Sequence, residues 1–250
     1  MSDHVSVTDE GTIRTVRMNR PDKKNALTAA MYQTMAVALE SANAHEDIRC
    51  VVIAGAPGAF SVGNDLAEFA QAASSGEGLG TPVIRFLHAL ARSERPLVAA
   101  VQGLAVGVGT TMLLHCDHVV ASTDARFSTP FVNLGLVPEA ASSLLAPHLM
   151  GHRRAFELLV MGRPLGAGAA QACGLVNTVV APDDVEAEAM KAARDIAALP
   201  AEALAASRRL LRAAPDDIVA RIDEEARLFR ERLQSAEARS AFDAFLTRKR

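Results

Sequence analysis

Apolar positions along this chain recur with two different periods, and the switches between them mark its elements. Short β-branched runs at residues 5–7 and 12–18 flank Asp9-Glu10-Gly11 and predict a hairpin. Thr28 stands where it would cap a helix running to about residue 44, with Met31, Met35, Leu39 and Ala42 spaced along one face. Residues 50–54 and 97–101 are continuous apolar runs, as expected of strands covered on both faces, and 118–121 and 176–180 have the same character. Helical patterns fall between them, near 81–92, 109–115, 138–150 and 152–161. Strands alternating with helices predict an α/β fold with crossover connections. From Pro182 onward the strand pattern stops. Segments 183–199, 201–213, 217–234 and 236–248 read as consecutive helices, punctuated by Pro182, Pro200 and Pro215. The chain is thus expected to hold an α/β core over 1–195 and a helical region over 196–250. The Ser/Gly/Ala-rich stretch 71–80 predicts a mobile loop.

Composition narrows the function. With 250 residues, half of them apolar and 22% charged, the chain can bury a large core without staples. Aromatics make up only 4%, with no Trp and one Tyr, so stacking platforms for bases are not expected. Net charge is -3, from 29 acids and 26 bases, which argues against a partner held by phosphate contacts. Three scattered cysteines, Cys50, Cys116 and Cys173, suit free thiols in a reducing compartment. The opening residues have no basic segment followed by an apolar run, and no uninterrupted apolar stretch reaches membrane-spanning length. A cytoplasmic protein bound to neither membrane nor nucleic acid is the expectation.

Candidate chemistry gathers in three places. Phe60-Ser-Val-Gly-Asn-Asp-Leu66 and Gln102-Gly-Leu-Ala-Val-Gly-Val-Gly109 each follow a buried strand and precede a helix start, where unpaired N–H groups can hold an anion. Each glycine cluster also has a plain reading as tight turn geometry. Neither matches a nucleotide loop: Met112 stands where a third glycine is needed, and no Gly-Lys pair occurs. Asp65, with Glu68 three residues on, reads as a helix cap of the capping-box kind. Pro138-Glu139 forms the third place. It reads either as a well-capped helix start or as a lone carboxylate among Phe127, Phe131, Leu134, Leu136 and Val137, surroundings that raise a carboxyl toward general-base use. His115-Cys-Asp-His118 spans a helix end and a strand start, so its side chains should diverge rather than bind a metal.

These residues resemble the crotonase superfamily, the enoyl-CoA hydratase/isomerase family, over nearly the whole chain. The resemblance rests on Asn19-Arg-Pro-Asp-Lys-Lys-Asn-Ala-Leu27, the two glycine loops, and Gly162-Arg-Pro-Leu followed by Gly174-Leu-Val-Asn177. It implies a ββα spiral core with a C-terminal helical trimerisation region, a homotrimer or dimer of trimers, and an acyl-CoA substrate with no separate cofactor. It also implies that the backbone N–H groups of Asn64 and Val108 form an oxyanion hole for the thioester oxygen. Coenzyme A would lie along Lys24, Ala26 and Leu27 and along Val62, Gly63, Asp65 and Leu66, and Gly107 and Phe131 would also help bind the acyl-CoA substrate. Val108 departs from the glycine usual there, which keeps the donor but crowds the approach.

The family's hydratases use two glutamates, which would fall at Thr111 and Phe131, so neither carboxylate is present here. The segment from Phe127 to Ser143 is instead similar to peroxisomal-type Δ3,Δ2-enoyl-CoA isomerases, whose single catalytic glutamate matches Glu139. The resemblance therefore implies an isomerase working with one acid/base. A hydratase, another acyl-CoA enzyme of the fold, or a non-catalytic acyl-CoA- or RNA-binding member are the other readings. The acidic balance and the lack of a basic stripe stand against the last.

Overall fold

In the computed structural model, residues 2–65, 67–68 and 78–248 are described. Ten strands divide between two sheets among these residues. The larger has the order β1 (Val5–Glu10), β2 (Ile13–Met18), β3 (Cys50–Gly55), β5 (Leu97–Val101), β7 (His118–Ser122) and β10 (Thr178–Val180). Only its β1–β2 hairpin is antiparallel. The smaller sheet orders β4 (Ala59–Ser61), β6 (Leu104–Val106), β8 (Arg126–Ser128) and β9 (Leu165–Gly166), parallel except at β8–β9.

Three successive pairs, β3–β4, β5–β6 and β7–β8, each send the chain from the large sheet to the small one. Helices return it: α2 (Thr81–Ala91) leads back to β5, and α3 (Val108–Thr111) with the 3-10 turn Met112–His115 leads back to β7. This is the ββα spiral that the sequence resemblance implies. The bend after β5 needs glycine. Gly103 has φ +60, and a Cβ there would lie 2.7 Å from the carbonyl oxygen of Gly58.

Both faces of the large sheet are covered, as the continuous apolar runs predict. Val51 and Ile53 of β3 face a core completed by α1 (Ala29–Ala44) and α2. Cys50, Val52 and Ala54 face the other way, onto Val185, Ala189, Ala193 and Ala197 of α7 (Val185–Ala197). The alanines recur every fourth residue, so the helix presents one small-residue stripe and lies close to the strands. Between these, α4 (Ser142–Met150), α5 (His152–Leu159) and α6 (Ala167–Ala172) lead to β10. Then α8 (Ala201–Leu211), α9 (Pro215–Leu233) and α10 (Ala236–Arg248) complete the chain. Ile218, Ile222, Phe229 and Leu233 of α9 join the main core. The first turn of α1 is capped by Thr28, whose side chain accepts from the Met31 N–H, as predicted.

Three expectations need correction. The helix expected over 138–150 begins only at Ser142, because Ala140 and Ala141 take left-handed conformations at φ 63 and 53. The sequence pattern also missed the small sheet, whose strands of two or three residues are too short to show a period. Asp65 does cap the following turn, accepting from the Ala67 and Glu68 N–H groups, but Glu68 does not close a capping box. Its carboxylate accepts from the Ala29 N–H instead, at the start of α1. Of the loop expected over 71–80, residues 71–77 lie outside the described residues. Among those residues, no helix is long and apolar enough to cross a membrane.

Candidate active site

The site is built at the carboxyl ends of three neighbouring parallel strands. β4 and β6 pair in a register that sets Ser61 opposite Ala105. Two residues on, Gly63 and Gly107 stand level. A Cβ on Gly63 would lie 2.9 Å from the Val106 carbonyl oxygen and 4.0 Å from the Gly107 Cα, and its φ is +84, so only glycine lets the two loops touch. The residues that follow are Asn64 and Val108. Leu27 brackets Asn64 in an isolated parallel bridge: its N–H donates to Gly63 at 2.8 Å, and its carbonyl accepts from Asp65 at 2.8 Å. That pattern uses the Gly63 carbonyl and the Asp65 N–H, which flank residue 64, and leaves the Asn64 N–H turned away from Leu27. Val108 opens α3, where the first amides have no partner inside the helix. Among the described residues, neither amide donates a hydrogen bond.

The Asn-Ala-Leu segment serves as the brace of the first loop. Asn25 is fully buried and left-handed at φ 54. Its side chain donates to the Ala59 carbonyl at 2.7 Å, and its own carbonyl accepts from the Ser61 hydroxyl at 2.8 Å. The Lys24 carbonyl accepts from the Val62 N–H at 3.2 Å. Arg20 binds Asp65 at 2.7 Å and the Ala26 carbonyl at 3.1 Å. So Lys24, Ala26, Leu27, Val62, Gly63, Asn64 and Asp65 lie in one patch. Lys24 is exposed, whereas Ala26 and Leu27 are buried. Leu66 lies outside the described residues.

Glu139 comes from the third strand pair, beyond β8, and meets the second loop through Thr111. The Thr111 hydroxyl donates to one Glu139 carboxylate oxygen. The other oxygen has no hydrogen-bond partner, although the residue is only 2% exposed. Burial pushes the Glu139 carboxyl up to about 8; the Thr111 hydrogen bond opposes this and the charge of Glu225 adds to it. A buried carboxyl with one free oxygen and a pKa near neutrality can both take and return a proton. Phe131 is buried in the same core, and its carbonyl accepts from Leu134 and Leu136 within its own turn.

Several residues here carried no signal as part of a site. Tyr32, the one tyrosine of the chain, is a buried residue of α1. Its hydroxyl donates to the Asn64 side chain at 2.5 Å. Burial raises its pKa well above the usual tyrosine value, and the Glu139 charge adds to the rise. His115 donates through Nε2 to the Ala140 carbonyl at 2.8 Å; a carbonyl only accepts, so this nitrogen carries the hydrogen. Burial lowers the His115 pKa to about 4, which keeps the ring neutral. Asp117, its near neighbour in sequence, turns elsewhere and pairs with Arg208 at 2.9 Å.

Comparison with known proteins agrees with this architecture. A sequence profile of the enoyl-CoA hydratase/isomerase family matches residues 8–250. The chain is 38% identical over 250 residues to "Enoyl-CoA delta isomerase 2" of Rattus norvegicus, covering 98% of this chain but 64% of that protein. It is 30% identical over 246 residues to a "Probable enoyl-CoA hydratase" of Rhizobium meliloti, covering 98% of this chain and 95% of that one. A solved enoyl-CoA hydratase/isomerase from Pseudoalteromonas atlantica superposes with a TM-score of 0.92 at 40% identity, over 98% of both chains. With its spiral fold and its match along nearly the whole length, the chain belongs to the enoyl-CoA hydratase/isomerase family.

Proposed function

We propose that this protein is a Δ3,Δ2-enoyl-CoA isomerase that uses Glu139 as its one acid/base. The observation that carries the reading is the Glu139 side chain itself: fully enclosed, bonded to Thr111 through one oxygen, with the other oxygen unpartnered. In the proposed reaction that oxygen removes a proton from C2 of a 3-enoyl-CoA. The electrons shift through the double bond to give a thioester dienolate. The N–H groups of Asn64 and Val108 hold the oxygen on which negative charge develops. The carboxyl then returns the same proton to C4, leaving the 2-enoyl-CoA. Atoms balance with no water and no cofactor. The apolar enclosure around residues 127, 131 and 136 keeps water from the intermediate.

Coenzyme A would lie along the 24–27 and 62–65 segments, with the exposed Lys24 ammonium near its phosphates. Water addition asks for a second acid/base group, and Thr111 and Phe131 stand where the family's hydratases would supply two carboxylates. The helical region over 196–250 is proposed as the surface that joins a homotrimer or dimer of trimers, and the three free thiols fit a reducing compartment.

The test is an assay of purified protein on 3-enoyl-CoA and on 2-enoyl-CoA, with Glu139→Gln alongside. Double-bond migration should be fast, hydration slow, and the variant should lose at least about 1,000-fold in kcat. Fast hydration together with an unimpaired Gln variant would overturn the proposal.

A further inference from the structure

A carboxylate far along the chain sits where the helical pattern calls for an apolar residue. On α9 the buried stripe runs Ile218, Ile222, Glu225, Phe229, Leu233, with steps of three or four residues. Glu225 is 4% exposed. A buried acid must be hydrogen-bonded to be tolerated, and its partners are specific. One oxygen accepts from the Ala141 N–H at 2.6 Å, the other from the Ser143 N–H at 3.0 Å. From the preceding turn of α9, Arg221 donates to the Ser143 hydroxyl at 3.2 Å. The Ala141 amide belongs to the turn that presents Glu139, and the Ser143 amide to the first turn of α4 that follows it.

Within the turn the Ser142 N–H donates to the Glu139 carbonyl at 3.1 Å, and the other fixings come from outside it. Ala140 and Ala141 are consecutive non-glycine residues in left-handed conformations, a rare arrangement that persists only when its surroundings impose it. Residue 139 is adjacent, so any relaxation of the two alanines swings the Glu139 carboxyl away from Thr111. The fixings are few. His115 takes the Ala140 carbonyl, and Glu225 takes the next amide and the one two residues beyond. The Ala141 amide would otherwise be buried without an acceptor at the start of α4.

We infer that Glu225 is a positioning residue for the reaction: its carboxylate, delivered by the C-terminal helical region, clamps the strained 139–143 segment and thereby aims Glu139. This rests on Glu139 being the acid/base of the proposed isomerase. The function of α9 then extends beyond filling the core, since the reacting carboxyl is placed by a helix more than 80 residues away in sequence.

The experiment compares Glu225→Gln, Glu225→Ala and Glu139→Gln as full-length protein. Activity on 3-enoyl-CoA is read at about pH 9, where Glu139 is deprotonated, and at a temperature where circular dichroism shows each variant folded. Misplacing a catalytic group by about 1 Å costs on the order of 100-fold. Glu225→Ala should therefore lose about 100-fold in kcat, and Glu225→Gln, which keeps one acceptor oxygen, about 10-fold, both with KM nearly unchanged. A second variant tests the strain directly. Adding Ala141→Gly to Glu225→Gln lets residue 141 adopt its conformation unaided and should restore part of the lost kcat. Folded Glu225 variants with the kcat of the parent, or a double variant that recovers nothing, would overturn the inference. So would loss of folding in Glu225→Gln that Ala141→Gly does not repair, since Glu225 would then serve the fold as a whole. If Glu139→Gln itself keeps full activity, it is the isomerase reading that fails, and the two failures are distinct.

Discussion

Glu139 couples the stability of this fold to pH with a sign opposite to that of an ordinary salt-bridged acid. Burial holds its carboxyl up to about 8, against a usual value of 4.5. Between those two values the folded chain keeps a proton that the unfolded chain has released. Unfolding therefore loses a proton, and stability falls as pH rises. The contribution is fully present below about 4.5 and is lost as pH climbs through about 8. The interval from 4.5 to about 8, at about 1.36 kcal/mol per pH unit, amounts to roughly 5 kcal/mol. Glu139→Gln keeps the shape and does not titrate, so it escapes this loss. The assay is the difference in Tm between variant and parent, at fixed protein concentration, from about pH 5 to about pH 9. Any constant cost of burying the amide cancels from the trend. For a chain of this size each kcal/mol moves Tm by about 2–4 °C. The variant should thus gain on the order of 10 °C relative to the parent over that range. Titrations elsewhere cancel in the comparison, except at Glu225 and Tyr32, which interact with Glu139. A difference that stays flat across the range would refute the buried, proton-holding carboxyl. In the same window kcat/KM of the parent should rise with pH and level off above about 8, because it reports the free enzyme's base.

Two further substitutions probe the loops. Gly63→Ala places a Cβ 2.9 Å from the Val106 carbonyl oxygen at φ +84. It should cost about 2 kcal/mol of stability and, by displacing Asn64, about 100-fold in kcat; a stable variant of normal activity would separate the two loops from the reaction. Tyr32→Phe removes the donor to the Asn64 side chain. A loss of about 1 kcal/mol in urea unfolding with a fall of up to about tenfold in kcat is expected, and an unchanged midpoint would show that the hydroxyl contributes nothing to the fold.

How much of this could be read from the residues depended on whether a feature was carried by a period. Cys50 to Ala54 is apolar at every position because its alternate side chains face two different helix layers, and the run announced itself. The amphipathic helices after Pro182 were equally plain. The strands Ala59–Ser61 and Leu104–Val106 were not, since three residues carry no alternation, and only their glycines marked what they present. The turn at Ala140-Ala141 lay beyond local reasoning. Alanine favours a helix, Pro138 favours a helix start, and the left-handed geometry is imposed by Glu225 and His115 from elsewhere in the chain. Glu225 did leave a trace, an acid inside a stripe of Ile, Phe and Leu, but the trace gives burial and not the partner.

The spiral makes the site almost a consequence of its repetition. Each ββ pair delivers the chain to the same edge of the small sheet, and parallel register keeps equivalent residues level: Ser61 opposite Ala105, and Val106 opposite Ser128. The first two turns end in glycine loops with an unpaired amide apiece, at Asn64 and Val108. The third turn ends instead in the segment leading to Glu139. Two repeats thus bring donors to one edge and the third brings the acid, without any element bending out of the plan. Repetition alone cannot aim that acid, however, because the third turn is longer and crosses a strained bend. The correction comes from outside the repeat, through a carboxylate on α9. If so, mutations across the α9 stripe should separate by residue type. Truncating Ile222 should lower stability with little change in kcat of the folded protein, whereas altering Glu225 should lower kcat. Equal effects of both on folded enzyme would mean that the helix acts on the site through packing alone.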